Sequence, residues 1–410
     1  MKKILSILLV LAMALSLVAC GGASAPAATE APAAAPAPAA PEAPAAPAAT
    51  EAPAVDTSVI TKVALVTDVG TIDDESFNQA CWEGVEEWCK ANGLEYTYYQ
   101  PTEDSTDARV LSIAQAIAEG YNTIVMPGYL FGATLTIVME EYPDVNFIAV
   151  DVAAGDLTVD YTTFYEPTAN TACLTFSEEQ AGYLAGYAAV KEGYTKLGFL
   201  GGMAVPAVIR YGYGFIQGAD AAAKELNITV DMNYIYGGLF YGTADFTAVM
   251  DTWYQGGTEV VFACGGGIYT SAVDAAKKVE GAKVIGVDVD QAGVIANYAG
   301  MEDTSLTITS AMKGLYPTTV DTLTDVLLNG NWANYSGKVA TLGLVSGDDP
   351  TLNYVQIPME STQWSDTFTQ DDYKALVKGM FDGTIVVSAD ISAMPATTNV
   401  NVTELGQIVG

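Results

Sequence analysis

Three short clusters carry side chains whose types and spacing could do chemistry. The first is Thr67-Asp68-Val69-Gly70, followed by Thr71-Ile72-Asp73-Asp74-Glu75-Ser76-Phe77-Asn78-Gln79. Consecutive acids ahead of a helical run complement the dipole of the helix, and plain capping would account for them. Asp74 and Asn78 also offer hydrogen-bonding groups and Phe77 a stacking face, a set suited to an uncharged polar ligand with an aromatic part. The second cluster is Gly286-Val287-Asp288-Val289-Asp290-Gln291. Asp288 ends an apolar run, where a carboxylate has no structural duty and can accept from two adjacent sugar hydroxyls. The third, Thr309-Ser310-Ala311-Met312-Lys313-Gly314, sets Lys313 just past a strand-like run, with a surface lysine as the plain alternative.

Composition removes most other chemistries. The 410 residues include no histidine, which excludes Ser-His-Asp and Cys-His nucleophiles and His-ligated zinc. With 49 acids against 16 bases the formal charge is -33, so phosphate backbones and anionic lipid head groups are repelled and nucleic-acid binding is not expected. The same self-repulsion favours a monomer. The cysteines Cys20, Cys81, Cys89, Cys173 and Cys264 form no CxxC pair. Cys81 and Cys89 lie eight apart on one expected helix, about 12 Å, too far for a disulfide. Buried thiols are expected, with no metal and no cofactor. Gly265-Gly266-Gly267 lacks the GK[ST] ending of a phosphate loop. A carboxylate-only hydrolase using Asp73 and Asp74, or Asp288 and Asp290, is disfavoured because adjacent side chains on one backbone diverge.

The elements that must position these residues begin after a long leader. Residues 1–19 pair Met-Lys-Lys with an apolar run, the pattern of a secretory signal peptide, and they end Leu17-Val18-Ala19-Cys20-Gly21. That ending resembles the bacterial lipobox, which makes Cys20 the expected site of lipid attachment on the outer face of the cell membrane. Residues 20–58 are almost wholly Ala, Pro, Thr and Glu, an extended tether with too little apolar bulk to fold.

From residue 59 strand-like runs alternate with helical ones. Strands are expected at Lys62–Asp68, Glu95–Gln100, Thr123–Pro127, Phe147–Asp151, Lys196–Gly201, Ile228–Ile235, Glu259–Cys264 and Lys283–Asp288. Several are continuous apolar runs, as in parallel strands covered on both faces. Helices are expected at Thr106–Glu119 and from a Ser177-to-Gln180 capping box to about Lys191. Two doubly wound α/β lobes follow, 59–165 with 311–340 and 166–310 with 341–410. Tyr161–Glu166, Ser305–Ser310 and Lys338–Leu344 are the expected crossings. Ligands of open α/β sheets sit beyond the carboxyl ends of the strands. That edge holds all three clusters, and also Gly128 after the Thr123–Pro127 run. Among the second lobe's aromatics, Tyr211, Tyr213, Phe215, Phe240 and Tyr241, most should be core, with Phe215 and Phe240 as candidates for a cleft wall around a flat ring.

The Asp-Asp-x-Ser-Phe-Asn-Gln segment at Asp73–Gln79, Gly-Val-Asp-x-Asp-Gln at Gly286–Gln291 and Thr-Ser-x-x-Lys ending at Lys313 resemble the basic membrane protein family of substrate-binding lipoproteins. The resemblance covers about residues 60–390. It implies a type I periplasmic-binding-protein fold with two lobes joined by three crossover segments. It also implies a purine nucleoside as ligand and the permease and ATPase subunits of an ABC importer as partners. By carry-over Asp74 and Asn78 would contact the base, Phe77 would stack, and Asp288 would hold the ribose hydroxyls with Lys313 nearby. Another polar solute, such as a sugar or signalling molecule, is the alternative ligand.

Replacing Cys20 with Ser should move the protein from the membrane fraction to the soluble one without altering its fold, as read by fractionation and circular dichroism. Full membrane retention of that variant would make residues 1–19 a spanning helix.

Overall fold

The computed structural model describes residues 61–409; the leader, Cys20 and the tether lie outside the described residues. Strands β1 (Lys62–Val66), β2 (Glu95–Tyr99), β3 (Thr123–Pro127), β4 (Asn146–Val150) and β5 (Thr171–Phe176) come first. Then follow β6 (Lys196–Gly201), β7 (Val230–Tyr236), β8 (Val260–Cys264), β9 (Lys283–Asp288), β10 (Thr307–Lys313), β11 (Lys338–Leu342), β12 (Val355–Gln356) and β13 (Val400–Gln407). They form two sheets, ordered β11-β5-β4-β3-β1-β2 and β12-β10-β9-β8-β6-β7-β13. Every pairing is parallel except that of β10 with β12. The central strands, such as Thr123–Pro127 and Val260–Cys264, are buried along their whole length. That explains why their sequences do not alternate.

In the first lobe α1 (Phe77–Asn92) covers one face of the sheet, and α2 (Thr106–Ala118) and α3 (Phe131–Glu141) cover the other. In the second lobe α4 (Glu178–Lys191) and α5 (Pro206–Leu226) form one layer. Helices α6 (Ala244–Gln255), α7 (Tyr269–Ala276) and α8 (Ala292–Ala299) form the other. Helix α9 (Leu315–Leu323) packs on α1, and α10 (Gln370–Phe381) joins the same core cluster through Tyr373, Leu376, Val377 and Met380. No helix among the described residues is long and apolar enough to cross a membrane.

The chain changes sheet three times: after β5, after β10 and after β11. The first changeover was expected near residue 165, on the strand-like run Tyr161–Glu166. That run is instead a turn closed by a Thr158–Phe164 bridge, and β5 completes the first sheet before the chain crosses. The aromatic composition of 161–166 imitated a strand; Thr171–Phe176 is fully buried and supplies the real one. Sheet membership likewise carries the second changeover past Lys313 and the third past Leu342. The expected capping box does not form, because Ser177 makes no side-chain cap. The Gln180 side chain accepts instead from the Leu344 N–H, at 3.3 Å, on the third crossing. Strands β12 and β13 were not anticipated; β12 has two residues and β13 is mostly exposed, so neither leaves an apolar signature.

Helices α4 and α5 touch backbone to backbone. A Cβ on Gly182 would fall 2.1 Å from the Tyr211 carbonyl oxygen, and one on Gly214 would fall 2.1 Å from that of Glu179. Gly186 and Gly218 repeat the pattern one turn on, against Phe215 and Tyr183. This close approach fixes the start of α4, with Glu178, against the second turn of α5, with Arg210 and Tyr211. Gly214→Ala should force the helices apart and destabilise the protein by about 1–3 kcal/mol in urea unfolding. A change below 0.5 kcal/mol would show that the pair is not rigidly seated.

Candidate functional site

A cavity of about 330 Å³ lies between the lobes at the carboxyl ends of both sheets. The first lobe contributes the stretch after β1, Phe77 and Asn78 from α1, Gly128 and Tyr129 after β3, and Asp151 after β4. The second contributes Val208 and Tyr211 from α5, Phe240 and Tyr241 after β7, Cys264 at the end of β8 with Gly265–Gly267 after it, Asp288 of β9 and Lys313 of β10.

At the end of β1 the side chains hold one another. The Asp74 carboxylate accepts from the backbone N–H groups of Ser76, Asn78 and Gln79 at 3.0–3.1 Å, and from Asn78 Nδ2 at 3.0 Å. It satisfies the open first turn of α1, so capping occupies both of its oxygens. Asn78 is equally committed, donating to Asp68 Oδ1 and Asp74 Oδ2 at 3.0 Å. Asp68, of the same cluster, is not among the expected ligand contacts. Its Oδ1 accepts from Val69 N, Gly70 N and Asn78 Nδ2, while among the described residues Oδ2 has no hydrogen-bond partner. Burial pushes the Asp68 carboxyl above the usual carboxylate range. A Cβ at Gly128 (φ +119°) would sit 2.5 Å from Asp68 Oδ2, so only glycine fits both the backbone and the space there.

The opposite end holds a buried ion cluster. Lys313 Nζ lies 2.7 Å from Asp151 Oδ2, 3.6 Å from Asp288 Oδ1 and 3.7 Å from Glu178 Oε1. Arg210 Nε binds Glu178 Oε2 at 2.6 Å. Ser76 Oγ and the Tyr211 hydroxyl donate to Asp288 at 3.2 and 3.4 Å. The Lys313–Asp151 and Ser76–Asp288 links both run between lobes. The Lys313 ammonium also stands 4.8 Å from the Phe77 ring centre. Burial alone would lower the Lys313 pKa, but Asp151, Asp288 and Glu178 overbalance it and keep the ammonium charged. Glu178 is fully buried, and burial, reinforced by Asp151, pushes its carboxyl up to about 7. Burial also raises Asp288, with Lys313 opposing. Asp288 has no cation next to it in sequence; folding brings Lys313 to it from the neighbouring strand β10, the proximity that the family resemblance implied.

Asp74, Phe77, Asn78, Gly128, Phe240, Asp288 and Lys313 therefore share the cavity. Three expected residues do not. Asp73 is exposed and accepts from the Thr71 hydroxyl. Asp290 is exposed and accepts from Ala292 N at the start of α8. Phe215 is fully buried, its ring 5.3 Å from Phe262, because one turn along α5 from Tyr211 points into the sheet. Asp151, Glu178 and Arg210 were missed. Asp151 had a signal, since it follows its strand as Asp288 ends its own; Glu178 and Arg210 read as ordinary helical charges.

The sequence profile described as "ABC transporter substrate-binding protein PnrA-like" matches residues 60–372. The chain belongs to that family. It is 29% identical over 290 residues to the ABC transporter nucleoside-binding protein BmpA of Lactococcus lactis, a match covering 67% of this chain and 77% of the relative. It is 30% identical over 258 residues to the CD4+ T-cell-stimulating antigen of Listeria monocytogenes (60% and 67% covered). Solute-binding proteins of ABC systems from Aeropyrum pernix (TM-score 0.60, 20% identity, 80% and 87% covered) and Conexibacter woesei (0.59, 22%, 80% and 99%) share its fold. Within this PnrA-like family the two parallel-sheet lobes are the type I periplasmic-binding arrangement.

The ion cluster predicts opposite behaviour for two substitutions. Lys313→Met leaves Asp151, Glu178 and Asp288 facing only Arg210, and should cost about 3–5 kcal/mol in urea unfolding. The raised Glu178 pKa contributes stability that is complete below its ordinary value and is lost as pH climbs through about 7. Glu178→Gln removes that loss, so between about pH 5 and 8 the variant's stability should fall less than the parent's. Parallel pH profiles would show that Glu178 does not titrate in that window.

Proposed function

We propose that this chain is the extracytoplasmic, lipid-anchored receptor of an ABC importer, monomeric, capturing a nucleoside, preferably a purine one, and passing it to a membrane permease. The observation that carries the reading is the distribution of groups around the cavity. Phe77 and Phe240 enter from opposite lobes, Asp68 offers a free acceptor oxygen at one end, and Asp288 lies at the other. A flat base between the aromatic faces, donating N–H groups to Asp68 Oδ2, would leave the ribose hydroxyls toward Asp288. A cavity of 330 Å³ sits near the lower limit for small-molecule sites, about 300–1,000 Å³. The nucleoside-binding name of the Lactococcus relative agrees with this reading.

The same charges bear on selectivity. Among the described residues four carboxylates line the cavity, Asp68, Asp74, Asp151 and Asp288, and the single cation there, Lys313, is already paired with Asp151. A phosphate would meet no unpaired cation, so nucleotides should be rejected and neutral nucleosides accepted. The Asp74 carboxylate is committed to backbone N–H groups, whereas Asp288, already touched by Lys313, Ser76 and Tyr211, keeps acceptor capacity on Oδ2 for a ligand hydroxyl.

Calorimetry should show guanosine or inosine binding, with the 5′-monophosphate weaker by at least roughly a hundredfold. Asp288→Ala should weaken the ribonucleoside by at least roughly tenfold, and the 2′-deoxy form should bind wild type more weakly than the ribo form. Binding of a free sugar with no nucleoside response would replace the proposal with a sugar receptor.

A further inference from the structure

The family profile ends at residue 372, yet β13 (Val400–Gln407) and the two residues after it run beside the turn that carries Phe240. Strand β13 adds little to the core. Val400 is buried, but residues 403–407 are exposed, so apolar burial does not explain why the strand pairs with β7. What it does is reach further than β7. A register shift between Glu404 and Gln407, with Gly406 at φ +74°, carries the chain past the end of the ladder. Ile408 N then donates to Tyr236 O at 2.9 Å and Val409 N to Gly237 O at 3.0 Å.

Those contacts fall on the turn that holds Phe240. On its other side Gly237 N and Gly238 N donate to Gly201 O and Gly202 O, and Gly267 N donates to Phe240 O at 2.9 Å. The Phe240 ring lies against Gly202 and Gly265; a Cβ on Gly202 would fall 2.5 Å from Phe240 Cδ1. A Cβ on Gly238, at φ +95°, would fall 2.3 Å from the Val409 carbonyl oxygen. Leu239, Ile408 and Val409 each pack, half-buried, against the same outer core cluster of the second lobe. The turn 237–241 is thus held between β6 and the segment 408–409, and Phe240 projects from it into the cavity.

We infer that residues 406–409 are a positioning element for Phe240, setting the second-lobe face of the ligand site from behind. The inference deepens the nucleoside reading and rests on it for its affinity consequence. A mobile Phe240 would cost stacking free energy on binding and leave Asp68 and Asp288 untouched.

Two variants test it: deletion of residues 408–410, and Val409→Pro, which removes the last donor to the turn together with the Val409 side chain. Each should raise deuterium uptake in peptides covering 237–242 of the ligand-free protein while leaving peptides of β8 and β9 unchanged. This readout stands whatever the ligand is. For guanosine, each should weaken binding by roughly threefold to tenfold, and should add nothing in a Phe240→Ala background. Unchanged uptake at 237–242 in both variants overturns the inference, as does an affinity loss that adds in full to that of Phe240→Ala. If uptake rises but the parent protein binds no nucleoside, the positioning stands and the nucleoside reading falls.

Discussion

An ammonium group taken out of water between two lobes is the constraint on which the rest of the site depends. Lys313 is almost fully buried, and a lone charge there would cost several kcal/mol. Three carboxylates from three elements must converge on it: Asp151 beyond β4, Glu178 at the start of α4 and Asp288 at the end of β9. Arg210 offsets part of the surplus negative charge through Glu178. Because Asp151 and Ser76 belong to one lobe and Lys313 and Asp288 to the other, satisfying the charges also sets the distance between the sheets. The cavity is the space left beside that junction. Closing on a neutral ligand suits such a junction, because a ligand charge would disturb a balance already set by the protein.

The two lobes build this junction with the same parts. Both sheets run in the order second, first, third, fourth, fifth strand, so each has its switch point at the edge facing the cavity. After the third strand each places a glycine with positive φ, Gly128 and Gly265. At the fourth each places an aspartate in the left-handed region, Asp151 at φ +68° and Asp288 at φ +65°. Strained backbone of this kind persists where the surroundings fix it, and here both aspartates are fixed by one lysine. The fifth strands differ: β10 ends in Lys313, whereas β5 ends in Phe176, whose ring lies 5.6 Å from the Lys313 ammonium. A single cation thus serves two equivalent acids, and that asymmetry makes the junction.

Much of the fold was legible because parallel strands buried on both faces write themselves as apolar runs, and the eight anticipated strands all exist. The lobe changeover was not, since the aromatic turn at 161–166 imitates a strand and β5 is recognisable only by its burial. The site was half legible. Strand-end residues such as Asp288 and Gly128 are visible because an apolar run marks the strand and so the edge at which they stand. Asp74 and Asp290 show the opposite limit: acids near a helix start are needed there for backbone N–H groups, and sequence cannot tell that duty from ligand contact. Asp68 and Glu178 were hidden because their importance lies in three-dimensional neighbours, Asn78 and Gly128 for the one, Arg210 and Lys313 for the other.

The most direct measurement of the central claim is native mass spectrometry of the protein purified without added ligand, followed by denaturing release of whatever it holds. A closed site balanced for a neutral guest should retain one equivalent of an uncharged nucleoside from the expressing cell. Release of a phosphorylated species, one to one with protein, would contradict the account, because the paired Lys313 leaves no cation to receive it.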